Sequence, residues 1–253
     1  MNQILVTEKL YITPELKRKK KIYKFYFILS VFIVLILTSF YIYAEYDRNK
    51  SAEVSQQLLD DMNKTLEGTT EDTTIAQDDV LLVVLNGTTE ETQQEEQQSS
   101  VTTANEKAEW KTSAAGYKYK IIATVEVQKI SLKYTVVQGQ SGSIEETESL
   151  LKSSPVKYHG YDPNEVGNFC IVGHNYRNSK FFSKVPNLTV GDTVKLTDLT
   201  GRTINYEVYD KHTVDPSDTK DTTQLTGGRK ELTLITCTDD SKLRVIVRCK
   251  EVK

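Results

Sequence analysis

Residues 25–44 form an unbroken apolar run, the longest in the chain, and it constrains the fold more than any other feature. As a helix rising about 1.5 Å per residue, such a run matches a hydrocarbon core roughly 30 Å thick. Lys17, Arg18, Lys19, Lys20, Lys21 and Lys24 crowd its N-terminal side, whereas Glu45 and Asp47 flank the other. By the positive-inside rule this predicts a single-pass span with a cytoplasmic tail at 1–24 and everything after Ala44 outside the cell membrane. A cleaved secretory signal is the alternative. Its apolar stretch is normally only about 7–15 residues and ends in small residues. This run ends in Phe40-Tyr41-Ile42-Tyr43, which resembles an interfacial aromatic belt.

The segment 45–109 is acidic and rich in Thr, Gln and Glu, and has too little apolar content to offset chain entropy. It is predicted to be an extracellular stalk, with a helical stretch at 52–66. The apolar hexad 80–85 is an exception, read either as a short strand or as a sticky patch in a tether.

The folded domain is predicted over 110–253. Strands are expected at 121–127, 133–137, 168–172, 193–197, 203–212, 232–236 and 243–249, each rich in β-branched or aromatic residues and separated by turn residues. One helix is expected at 144–153, with Ser143 as its cap and Glu145 and Glu146 in its first turn. A second helical turn is expected at 179–182. Many short strands with little helix imply an all-β barrel or sandwich.

The net charge is −3, and no basic patch recurs beyond the first two dozen residues, which argues against nucleic-acid binding. Three cysteines cannot all pair within one chain, and none stands in a C-x-x-C arrangement. With only three histidines a His-rich metal site is not expected, and neither metal nor cofactor is predicted. Acidic residues near Glu145 and Asp192 match no compact calcium loop.

Cys237 closes an apolar strand and opens onto Thr238-Asp239-Asp240-Ser241-Lys242, so its thiol is held rigidly at a surface. His174 likewise ends an apolar strand, where an imidazole can take a thiol proton and return it to a leaving amine. Arg244 lies on the apolar strand 243–249, where a charge aimed into a cleft can stabilise an oxyanion. Taken singly, each has a commoner explanation: a buried Cys, an unpartnered loop His, a solvated strand Arg. Cys170 and Cys249 are expected to be packing residues, with a disulfide between them as the alternative.

Taken together, Thr-Leu-x-Thr-Cys at 233–237, Gly-Asn-x-x-Ile-x-Gly-His at 167–174 and Arg-x-Ile-Val at 244–247 resemble the sortases, as does the order His, Cys, Arg. Residues 123–130 and 188–194 are similar to other segments of that family. Val127-Gln128 departs from the Ile-Pro of many members. The resemblance leans toward wall-anchoring classes A, D or E, with class B also open, because no second apolar span follows Arg244. It implies an all-β, closed eight-stranded barrel with one or two short helices. It further implies a cysteine transpeptidase that cleaves Leu-Pro-x-Thr-Gly-like C-terminal signals of secreted proteins and transfers them to a peptidoglycan-precursor amine of a Gram-positive cell wall. Cys237 would then be the nucleophile, His174 the proton donor, Arg244 the oxyanion stabiliser and Thr236 a substrate contact. The readings from other classes are an extracellular β-rich binding module, in which Cys237 is structural, and an inactive sortase-like scaffold.

Overall fold

The computed structural model describes residues 14–71 and 108–252. Helix α1 spans Pro14–Glu71 and is long and apolar enough to cross a membrane, and the expected span 25–44 lies inside it. The chain divides into two units, Met1–Lys50 and Ser51–Lys253. The tail at 1–13, the segment 72–107 and with it the apolar hexad 80–85 lie outside the described residues.

In the second unit, nine strands form one sheet: β1 (Lys111–Thr112), β2 (Lys118–Val127), β3 (Leu132–Gly139), β4 (Val156–His159), β5 (Gly167–Val172), β6 (Thr193–Asp198), β7 (Thr203–Val214), β8 (Lys230–Cys237) and β9 (Arg244–Glu251). Their order is β1-β2-β3-β4-β5-β8-β9-β7-β6, and a further β2–β6 pairing joins Ala123–Glu126 to Asp198–Lys195. That pairing closes strands β2 to β9 into an eight-stranded barrel, with β1 as a short addition at its margin. Closure removes the exposed edges of a sheet of this size. The seven expected strands all form. Short β1 and β4 carry too little periodicity to be read in advance.

The barrel interior takes one face of each strand. Val125 and Val127, Phe169 and Ile171, Leu232 and Leu234, and Val245, Val247 and Cys249 meet there. The alternate residues point outward, as the twofold strand period demands. On the outer face of β2, β3 and β4 lie Ile121, Val137 and Val156, covered by Leu150 and Leu151 of helix α2 (Ile144–Leu151) and by Leu58 and Met62 of α1. The Ser143 hydroxyl caps α2 by accepting the Glu146 N–H at 3.2 Å. Glu146 reaches back to accept N–H bonds from Gln140, Ser141 and Gly142. Burial opposes ionisation of Glu146, but the bonds from Ser141 and Gly142 outweigh it and hold the carboxyl below its ordinary range.

The expected helix at 52–66 therefore forms, and it is packed rather than free. Ser55, Leu58, Leu59 and Met62 are buried at helical spacing, and Lys111 Nζ bonds Asp61 Oδ2 at 2.6 Å. Two other expectations change. The helix at 144–153 stops at Leu151, and the turn expected at 179–182 begins only at Phe182, as a 3-10 helix Phe182–Asn187. The reason is local: Phe181 has φ 51°, outside helical geometry.

Met62 is 1% exposed, so Met62→Ala should lower the unfolding free energy of the chain by about 2–4 kcal/mol in urea titration. A chain cut at residue 108 should melt at lower temperature than one beginning at Ser51, because it removes Leu58 and Met62 from the cover over the outer face of β2–β4.

Candidate active site

Cys237 is the last residue of β8 and Arg244 the first of β9, and the two are direct partners across the antiparallel pair. Partners at this position share a face and stand with Cβ atoms about 4.5–5.5 Å apart. Strands β5 and β8 run parallel, with Val172 opposite Ile235. The Gly173 N–H donates to the Ile235 carbonyl at 3.0 Å. Two residues beyond Val172, in the turn that follows β5, stands His174, and two beyond Ile235, at the end of β8, stands Cys237. The three residues singled out from the sequence thus converge at one end of the outer face of β5–β8–β9. Cys237, His174 and Arg244 are all half-buried, and the charge of Arg244 is felt by the Asp215 carboxylate just beyond β7.

Beneath them lies an apolar floor of Ile235, Ile246 and Cys170, extended by Val172 and Val214. Arg244 also faces Val214, the last residue of β7. A cavity of about 540 Å³ lined by Gln138, Gln140, Tyr158, His159 and Tyr161 opens where β3 and β4 splay apart, and includes none of the three. The thiol does not line that cavity.

The ends of the strands are locked together. Thr236 is 1% exposed, and its hydroxyl donates to the Gly173 carbonyl at 2.8 Å. Its side chain therefore points away from the open face and ties β8 to the turn before His174. Gly173 has no room for a side chain, since a Cβ would stand 2.5 Å from the Phe182 ring. Asn175 Nδ2 donates to the Cys237 carbonyl at 3.0 Å and to Asp239 Oδ1 at 2.9 Å. Arg177 bonds Ser241 Oγ at 2.9 Å. Tyr176 packs its ring 5.1 Å from that of His174 and meets Phe181 edge-on. Phe181 stacks on Tyr134 at 5.0 Å, and its N–H donates to Tyr134 Oη at 2.8 Å. That stack holds a positive-φ backbone costing about 1–3 kcal/mol. The roles of Asn175 and Tyr176 were not read from the sequence. Their only signal there is adjacency to His174.

Burial lowers the His174 pKa, Glu148 of α2 opposes this and Lys152 reinforces it. These surroundings favour the neutral form of the imidazole. Cys170 and Cys249 are buried free thiols. Burial pushes the Cys170 thiol up to about 12 and raises that of Cys249 as well. The disulfide alternative fails geometrically: Cys170 lies in the outer cluster, Cys249 lies in the barrel core, and β8 runs between their strands. Among the described residues no group of three His, Cys, Asp or Glu is arranged to hold a metal.

Thr236→Val keeps the shape but strands the buried Gly173 carbonyl, and should cost about 1–3 kcal/mol in a denaturant titration. Because the folded pKa of His174 is lowered, its contribution is present above about pH 6.5 and lost as pH falls through the folded value. On acidification the wild type should accordingly lose more thermal stability than His174→Gln.

A family model described as the sortase domain matches residues 125–252. No curated protein matches the chain. Similar solved structures include a Clostridium perfringens sortase D5 transpeptidase, 24% identical with TM-score 0.52, covering 80% of this chain and 100% of that one. Others are sortase C1 of Streptococcus agalactiae, at 27%, 0.45, 52% and 67% respectively, and a lid mutant of sortase A from Corynebacterium diphtheriae, at 21%, 0.48, 76% and 94%. The family model covers half of the chain and includes β8 and β9, which carry Cys237 and Arg244, and β5 with the turn after it that carries His174. This chain belongs to the sortase family, whose members are cysteine transpeptidases.

Proposed function

We propose that this sortase cleaves a Leu-Pro-x-Thr-Gly-like signal at the C-terminus of secreted proteins and transfers the shortened protein to an amine of a peptidoglycan precursor. The observation that carries the reading is the register of three adjacent strands, which supports convergence of a thiol, an imidazole and a guanidinium on one open face.

In this reading Cys237 gives its proton to His174, and the sulfur attacks the Thr carbonyl of the signal. Arg244 stabilises the tetrahedral oxyanion. The C–N bond then breaks, the leaving amine takes the proton from His174, and a thioester to Cys237 remains. An incoming amine attacks that thioester, passes its proton to His174, and the departing thiolate recovers it. The apolar floor of Val172, Ile235 and Ile246 suits the Leu-Pro end of the signal. Thr236 acts through Gly173 as a positioning residue rather than as a substrate contact. No cofactor enters these steps.

The helix over 25–44 is the membrane anchor in this reading, with residue 1 cytoplasmic and the barrel outside. Tethering raises the effective concentration of the site toward exported and lipid-linked substrates.

The test is mass spectrometry of the chain incubated with a Leu-Pro-x-Thr-Gly peptide and a small amine. Wild type should give amine-capped product and a thioacyl adduct, and Cys237→Ala neither. Arg244→Ala should lower kcat by about 10²–10³-fold. A well-folded protein with no adduct and slow reaction of Cys237 with iodoacetamide would instead support the binding-module or inactive-scaffold readings.

A further inference from the structure

His212 lies on the outer face of β7, opposite Ile246 of β9 and so beside the apolar floor. Two residues along β7 from it stands Val214, the partner of Arg244, about 7 Å away. The His212 ring is held at both nitrogens: Nδ1 lies 3.0 Å from Asp210 Oδ2 and Nε2 lies 2.9 Å from Asp221 Oδ2. Both partners are carboxylates, which only accept. A neutral imidazole has a single N–H, so satisfying both contacts requires the doubly protonated ring.

Asp221 sits in the 3-10 turn Lys220–Thr222 of the connection between β7 and β8. This turn is anchored a second time from β5, where Asn168 Nδ2 donates to the Asp221 carbonyl at 2.7 Å and the Thr223 carbonyl at 3.3 Å. Gln224 bonds the Asn168 backbone at both N–H and carbonyl. The segment 221–224 thus crosses the outer face just below the floor and walls it at that end.

The surrounding charges make the imidazolium a necessary member. Arg248 of β9 is 3.8 Å from Asp221 and 2.9 Å from Glu231 of β8. Glu231 also takes Arg229 at 2.8 Å and the Tyr209 hydroxyl at 2.9 Å. The Cys170 thiol on β5, pushed up to about 12, adds no charge near neutrality. Asp210, Asp221 and Glu231 are thereby balanced by Arg248, Arg229 and a charged His212. Deprotonating the ring leaves the cluster one charge short.

We propose that His212 is a positioning residue of the substrate groove, an imidazolium clasp that holds the turn Lys220–Thr222 against the barrel and so sets the wall at the foot of the groove. Calling this wall part of a substrate groove rests on the function proposed above; the clasp itself does not. Burial by itself would lower the His212 pKa, but the hydrogen bond and charge of Asp221, then those of Asp210, outweigh it and raise the value. The sign follows. The clasp is complete below the ordinary value of about 6.5 and is lost as pH rises through the raised folded value.

The test uses the full chain in detergent micelles with its three histidines ¹³C-labelled. Wild type, His212→Gln and Asp210→Asn are compared, with a thermal melt to establish folding. The ring signal missing from His212→Gln should titrate above pH 6.5. Hydrogen-exchange protection of 215–226, corrected for intrinsic exchange rates, should fall about tenfold in His212→Gln at pH 6.5. In wild type it should fall as pH rises through the ring midpoint, and Asp210→Asn should move both midpoints down. With a signal peptide, KM should rise at that same midpoint while kcat holds. Unchanged protection in a folded His212→Gln, or a ring midpoint at or below 6.5, overturns the clasp. A wild type that shows the clasp yet cleaves no peptide supports the clasp and counts against the substrate reading alone.

Discussion

The parallel pairing of β5 with β8, continued by the antiparallel pairing of β8 with β9, is the constraint on which the rest depends. Side chains on a strand alternate with a period of two, so a slip of one residue would turn a strand's whole set to the other face. In the observed register Ile171, Leu234 and Val247 meet inside the barrel. The same register brings His174, Cys237 and Arg244 to one end of the outer face. Packing of the core and placement of the reactive groups are thus a single choice. A slip that buried Cys237 would expel Leu234 from the core, which is why the apolar interior can specify the position of a polar site.

The outer face is divided between two kinds of cover. Over β2, β3 and β4 it is apolar and takes α2 and the 58–66 part of α1, so that the segment following the first unit contributes to the barrel's own packing. Over β5, β8, β9 and β7 it changes along the strands from an apolar floor to a charged cluster around Arg248, Glu231 and Asp221. Ion pairs buried to this degree return little net stability, because desolvation offsets most of their attraction. Their consequence here is geometric: they fix where the β7–β8 connection can lie. Glu231, 2% exposed, is tolerated because Arg229, Arg248 and Tyr209 all donate to it.

Tight local devices set the strand ends. Gly173 lets the Phe182 ring approach the backbone, Thr236 binds the carbonyl of that glycine, and Asn175 spans from the His174 loop to the Cys237 carbonyl. A side chain at the end of a strand would otherwise fray into solvent. These bonds tie the ends of β5 and β8 to one another, and tethering of that kind is what pre-organisation of a site at a strand end requires.

Much of this was legible in the sequence. The apolar run 25–44 was readable as a helix long enough to span a membrane, because its length and flanks match a bilayer. The strands with strong alternation, the Ser143 cap and the positions of Cys237, His174 and Arg244 at strand boundaries follow from local patterns, which are set by neighbours in the chain. What needed the tertiary structure depends on partners distant in sequence. The packing of Leu58 and Met62 on the barrel, the diversion of Thr236 to Gly173, the separation of Cys170 from Cys249 on opposite faces, and the clasp of His212 between Asp210 and Asp221 all arise from strand order and register. Residue type and spacing marked which groups are candidates for the chemistry. Only the closure of the sheet decided which of them stand together, because a contact between strands is fixed by register rather than by composition.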